Sequence, residues 1–359
     1  MPDSFSSPVR HVATGPSRQR AWVMTGQLPE SVVAYLKRVA SLVDGYIYAK
    51  VKGEPKEVYD AGLHLIRAGG KRLRPAIVVA IAEALGEPAE RALPFAAAVE
   101  LVHNFTLIHD DIMDRDEFRR GVPTVHKVWG EPLAITAGDL LFAKAFETLT
   151  DALDKGIPPD RVARATRVLS RASAVIAEGQ AMDLMFEEED EVSIDEYLIM
   201  IYKKTGALFE ASAVLGGLVA TGDDATLEKL AEFGKNLGIA FQIRDDILGI
   251  VGKEEELGKP VYSDIREGKK TLPIIYALRN LEDEDREKLV MVLGNREASR
   301  EELEQAAKLV VASGAIDYAE SKAREYIDRA LEALRGAVPE NNYRRILEEL
   351  AKFVATRTW

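Results

Sequence analysis

Apolar residues recur along most of this chain at three- and four-residue intervals, the spacing that lines one face of an α-helix. Val32, Val33, Leu36, Val39, Leu42 and Val43 set the pattern just after Pro29. A second run starts at Arg91 and continues to about Arg119. Further helices are predicted over 131–151, 160–186, 194–220 and 225–251, and shorter ones over 271–281, 300–313, 316–336 and 341–356. Segments bearing Gly and Pro separate them, among them Gly121-Val122-Pro123 and Gly156-Ile157-Pro158-Pro159. The segment Ala207–Ala220 is apolar almost all round, which places it inside a bundle. No stretch shows a convincing alternation of apolar and polar residues, as a half-buried strand would. No composition break marks a boundary. The pattern therefore predicts an all-α, single-domain helical bundle over 29–359, with a disordered tail over 1–28.

Composition narrows the class. The chain has 359 residues, 47% of them hydrophobic, enough for a large core. It has no cysteine, which excludes a disulfide scaffold and a thiolate metal site and is compatible with a reducing, cytoplasmic location. No apolar run reaches the ~18 residues that suggest a membrane span. Residues 1–24 lack the apolar core of a secretory signal, and Met24 offers an alternative start. The formal net charge of −12 argues against a nucleic-acid surface. An acidic protein that binds phosphate must supply local cations, as Lys/Arg clusters or as metals held by carboxylates. The sequence contains both.

His109-Asp110-Asp111-Ile112-Met113-Asp114 closes the long periodic run. Asp110 and Asp114 stand at i and i+4, about 6 Å apart on one helix face. Two carboxylates at that spacing can clamp a hard cation, and Mg²⁺ suits because it keeps waters and bridges to substrate phosphate. A calcium loop is the competing motif, but its glycine and final glutamate are missing. A solvated acidic helix end is the plainer alternative. Phe241-Gln242-Ile243-Arg244-Asp245-Asp246 repeats the theme on another helix. Two such clusters facing each other could hold several metals against a diphosphate and stabilise its departure.

Basic residues gather at several points. Gly69-Gly70-Lys71-Arg72-Leu73-Arg74 sets three cations behind two glycines, which let backbone approach an anion. Arg119-Arg120 follows the first acidic cluster, Lys203-Lys204-Thr205 and Lys269-Lys270-Thr271 are Lys-Thr sites, and Lys259 lies in a Gly-Lys-Pro turn. A Walker-type loop is absent. His103, seven residues before Asp110, shares its helix face and can donate to a phosphate oxygen.

Taken in order, these motifs resemble those of the trans-isoprenyl diphosphate synthases, which include farnesyl and geranylgeranyl diphosphate synthases. The resemblance rests on Gly-Gly-Lys-Arg-Leu-Arg-Pro at 69–75, Asp-Asp-Ile-Met-Asp at 110–114 and Arg-Arg-Gly at 119–121. Gly179-Gln180 with Asp183, Lys204-Thr205-Gly206 and Gln242 with Asp245-Asp246 continue the series. It covers about 30–357, and the turn before Lys269 most resembles archaeal members. It implies a bundle around a deep central cavity, a homodimer, and Mg²⁺-dependent condensation of isopentenyl diphosphate with allylic diphosphates to give geranylgeranyl diphosphate. By the same resemblance Lys71, Arg74, His103 and Arg120 would hold isopentenyl diphosphate. Arg119, Lys204, Thr205, Gln242, Lys259 and Lys269 would hold the allylic diphosphate. Asp110, Asp114 and Asp245 would ligate Mg²⁺, supported by Asp111 and Asp246. Many members carry a third aspartate where this chain has Gly249, which leaves the second cluster with two carboxylates.

Phe105 lies five residues before Asp110, about 7.5 Å along the helix. Periodicity alone reads it as an ordinary core aromatic. In the resembling family an aromatic at that offset goes with C20 products, and the smaller Thr106 leaves room for more than C15. Farnesyl and farnesylgeranyl synthases stay open as alternatives. A terpene cyclase would not need the cations at Lys71, Arg74 and Arg120, and a non-catalytic subunit would be expected to lose its aspartates.

Overall fold

The computed structural model describes residues 28–189, 191–252 and 261–356. The expected tail up to residue 27, with Met24, and the expected phosphate ligand Lys259 lie outside the described residues. Helices α1 (Glu30–Lys50), α2 (Lys56–Arg67), α3 (Leu73–Ala84) and α4 (Ala89–Met113) come first. A short α5 (Val125–Trp129) leads into α6 (Glu131–Thr150), then α7 (Pro159–Glu188) and α8 (Ile194–Ile201). A π-helical turn over Tyr202–Gly206 joins α8 to α9 (Ala207–Ala220), and α10 (Asp224–Val251) follows. The remainder is α11 (Ser263–Glu267), α12 (Leu272–Asn280), α13 (Asp283–Val292), α14 (Arg300–Ala312), α15 (Ala315–Ala337) and α16 (Asn342–Thr356).

Local chemistry fixes several of these ends. Ser193 with Glu196 and Ser299 with Glu302 form capping boxes that satisfy the first free amides of α8 and α14. The Asp223 carboxylate accepts from the Thr226 amide at 2.9 Å and starts α10. In the middle of the bundle α3 packs against α4 and α9, and α10 against α9 and α15. Phe95, Phe209 and Phe233 are among the largest fully buried side chains. Leu230 and Leu237 of α10 are also excluded from solvent, each contributing roughly 2 kcal/mol of burial.

The all-α expectation is met, with differences of detail. The run predicted from Arg91 to Arg119 stops being helix at Met113. Arg115 takes a left-handed conformation (φ 59°), which ends the helix, and Phe118–Arg119 then pairs antiparallel with Val122–Pro123. Arg120 (φ 54°) and Gly121 (φ 72°) form the turn between these two-residue strands. The predicted 194–220 helix is two helices joined by the π turn. Helices α2, α3 and α13, and the short α5 and α11, come in addition to those expected.

Candidate active site

The C-terminal end of α4 splits its aspartates between two jobs. Asp111 faces inward with no solvent exposure and is ion-paired to Arg119 Nε, while Arg119 Nη2 donates to Asp116 at 3.1 Å. Burial pushes the Asp111 carboxyl up to about 6 against the pull of Arg119. Asp111 therefore fixes the arginine that follows the helix. Asp110 and Asp114 keep the shared face predicted from their spacing. Burial raises the Asp110 carboxyl, and the Lys204 charge opposes that rise.

The second acidic cluster divides in the same way. Tyr197 Oη donates to Asp246 at 2.5 Å, and Gln242 Nε2 donates to its other oxygen at 2.8 Å. Thr205 Oγ1 donates to Gln242 Oε1 at 2.8 Å, which fixes the amide orientation. Burial, and then the charge of Asp264, push the Asp246 carboxyl up to about 8. Asp246 thus orients Gln242, and both it and its neighbour Asp245 line a cavity of about 140 Å³.

Lysines lie between the two clusters. The π turn carries Lys204 and Thr205 into the cavity wall. Helix α7 approaches that turn so closely that a Cβ on Gly179 would stand 2.2 Å from the Lys204 amide nitrogen. Lys204 Nζ pairs with Asp183 at 2.5 Å. Burial disfavours its charge, yet Asp183 and Asp110 carry its pKa above the usual lysine value. Lys269, behind α11, reaches Asp114 at 3.4 Å and Glu267 at 2.9 Å. Lys204, Thr205, Gln242, Asp245 and Lys269 thus share one cavity, bordered through the lysines by Asp110 and Asp114.

Lys270 and Thr271 of the second Lys-Thr site line the same cavity, as do Asp183 and Asp264, which spacing alone does not single out. Asp183 enters the sequence reading only through the resemblance. Thr271 Oγ1 is buried without a hydrogen-bond partner among the described residues, as a donor waiting for a ligand oxygen would be. A Cβ at Gly249 would stand 2.6 Å from Asp264 Oδ2. A third carboxylate therefore does reach this end of α10, carried in from α11.

A second basic site sits beside the first. Gly69 (φ 102°) and Gly70 (φ 146°) shape the loop from α2 to α3 that carries Lys71. Arg74 Nη1 donates to His103 Nε2 at 3.3 Å, and its guanidinium lies 4.4 Å from the centre of the Phe209 ring. Burial, then the charges of Arg74 and Arg120, hold His103 well below its ordinary pKa. The imidazole is thus neutral, with Nδ1 left to donate. Arg120 Nη1 donates to the Leu65 and Gly69 carbonyls at 2.8 and 2.5 Å, and burial lowers its pKa to about 10. Arg72, the third cation of its motif, turns away into the core and is 3% exposed. Phe105 and Thr106 do not line the 140 Å³ cavity. Phe105 packs edge-on to His109 and against Phe142, with ring centres at 4.8 and 5.1 Å, and Thr106 donates to the His103 carbonyl.

Two carboxylate-bearing helix ends across a cation-lined cavity, with a second basic site alongside, define a helical synthase that works on diphosphates. The polyprenyl synthetase family model matches residues 55–310, and the chain belongs to that family: it is a prenyltransferase. It is 47% identical to the geranylgeranyl diphosphate synthase of Saccharolobus solfataricus over 90% of this chain and 97% of that one. It is 48% identical to the geranylfarnesyl diphosphate synthase of Aeropyrum pernix, over 88% and 99% respectively. The crystal structure of geranylgeranyl pyrophosphate synthetase from Pyrococcus horikoshii superposes with a TM-score of 0.85 at 45% identity, covering 91% of this chain and 99% of that one.

Proposed function

We propose that this prenyltransferase makes geranylgeranyl diphosphate, using Mg²⁺ at Asp110, Asp114 and Asp245. The observation that carries the reading is the pair Lys204 and Lys269, set in one cavity between those carboxylates. Among the described residues no three or more acidic or histidine side chains cluster closely enough to hold a metal by themselves. Asp110 and Asp114 on one helix face and Asp245 on the cavity wall suit Mg²⁺, which is commonly bound by one or two carboxylates together with substrate phosphates. When bound, Mg²⁺ supplies positive charge against the diphosphate as it leaves.

The residues then divide the work. Lys204, Lys269, Arg119, Thr205 and Gln242 hold the allylic diphosphate, and their fixed charges favour breaking its carbon–oxygen bond. Lys71, Arg74, His103 and Arg120 hold isopentenyl diphosphate with its double bond towards the resulting carbocation. A carbon–carbon bond forms, a proton leaves to the released diphosphate, and the chain grows by five carbons. No side-chain base is needed. The same reading includes a homodimer.

Turnover of isopentenyl and farnesyl diphosphates with Mg²⁺, followed by chromatography, tests the product. A C20 product supports the reading. A C25 product would place the chain with its geranylfarnesyl relative, and a C15 limit would exclude both. Asp110→Ala and Asp245→Ala should each lower kcat by about a hundredfold or more, the loss expected for several kcal/mol of charge stabilisation. Near-normal rates in both variants would sink the metal assignment.

A further inference from the structure

Behind the second basic site lies a buried set of charges that the reaction does not itself use. Arg72 adopts a left-handed backbone conformation (φ 49°), which sends its side chain inward. Its guanidinium meets Asp44 of α1 at 2.7 and 3.2 Å and Glu100 of α4 at 3.2 Å. It also donates to the Ile66 and Gly69 carbonyls at 2.7 and 3.0 Å. Glu100 is 2% exposed and accepts from Asn104 Nδ2 at 2.8 Å. The Gly69 carbonyl that Arg72 holds is the one that receives Arg120 from the other side. Two guanidiniums thus converge on one carbonyl, and like charges that close repel unless carboxylates offset them. Glu100 is the foremost charge opposing the loss of the Arg120 proton, and Asp44 acts in the same sense.

We propose that Asp44, Arg72 and Glu100 are positioning residues for the isopentenyl diphosphate site. They hold the turn at the end of α2 and, through the Gly69 carbonyl, the guanidinium of Arg120. None of the three touches substrate. The inference rests on the reading that Lys71, Arg74, His103 and Arg120 bind isopentenyl diphosphate.

Removing one member of a buried ion network leaves another charge unpaired and puts folding at risk, whereas replacing charges by apolar residues of similar volume is often tolerated. The test is therefore the double variant Arg72→Met/Glu100→Leu, assayed with Mg²⁺ in the full chain beside Arg120→Gln. Its thermal melting is recorded alongside. The KM for isopentenyl diphosphate is expected to rise about tenfold, equivalent to 1.4 kcal/mol of lost orientation. The allylic KM and kcat should stay within about twofold. Adding Arg120→Gln to the double variant should cost much less than it does alone, because its support is already gone. Should the double variant not fold, Asp44→Asn carries the same measurements, since that carboxylate is already 25% exposed. A folded variant with an unchanged isopentenyl KM, a parallel rise in both KM values, or additive effects overturns the proposal while leaving the site reading intact. If Arg120→Gln itself leaves the isopentenyl KM unchanged, the site reading fails and the proposal with it.

Discussion

His103 shows how much a single side chain depends on its neighbours here. Enclosed beside Arg74 and Arg120, it is held well below the usual 6.5, so the folded protein binds fewer protons at this site than the unfolded chain. Its contribution to stability is complete above about pH 6.5 and is lost as pH falls towards the depressed value. Denaturant midpoints at pH 7 and pH 5 should therefore differ more in wild type than in His103→Gln. Equal pH dependence in the two proteins would show that His103 is not held neutral. Gln at 103 keeps a donor, so the isopentenyl KM should change only modestly. At this scale the sequence names the right neighbourhood but not the division of labour. The doublets Asp110-Asp111 and Asp245-Asp246 look alike in the chain. Only the fold shows that Asp111 anchors Arg119, which lies in the short strand beyond the helix, and that Asp246 is held by Tyr197, 49 residues away, while it orients Gln242 one turn back on its own helix.

Among the elements, the contact of α7 with the π turn carries the most consequence. A side chain at position 179 would collide with the backbone of Lys203 and Lys204 rather than with a movable group. Gly179→Ala should therefore destabilise by about 1–3 kcal/mol, the usual cost of overpacking, and also lower kcat by displacing Lys204. Gly45→Ala in α1, where a Cβ meets nothing within 4 Å, should instead stabilise by about 0.5–1 kcal/mol. Chemical denaturation of both variants checks the contrast, and a harmless Gly179→Ala would mean that the helices part easily. Legibility varies between elements for physical reasons. Helices α6, α7 and α10 keep a polar face, so their periodicity locates them to within about two residues. Helix α3 is buried from Pro75 to Ala82 and so has no contrast to read. The π turn depends on what α7 presses against it, and the two-strand turn at 118–123 is too short to show alternation.

For the molecule as a whole, we propose that the end of the space between helices sets the length of the product. Phe105 of α4 packs on Phe142 of α6, which in turn lies 5.1 Å from Phe146. Phe105→Ala should let the chain grow beyond C20 until it meets the next ring. Chromatography of products at excess isopentenyl diphosphate measures this, and an unchanged product length would clear Phe105 of the role. The architecture itself was readable from helical spacing, and the chemistry from the two acidic and several basic motifs. The way the lysines are already engaged could not be read that way. Lys204 holds Asp183, and Lys269 holds Asp114 and Glu267. A bare anion at either lysine meets these carboxylates as like charges and is repelled by them. An anion that arrives with its own divalent cations satisfies lysine and aspartate together. The resting ion pairs should thereby disfavour stray phosphate and sulfate and suit a ligand that carries both signs of charge.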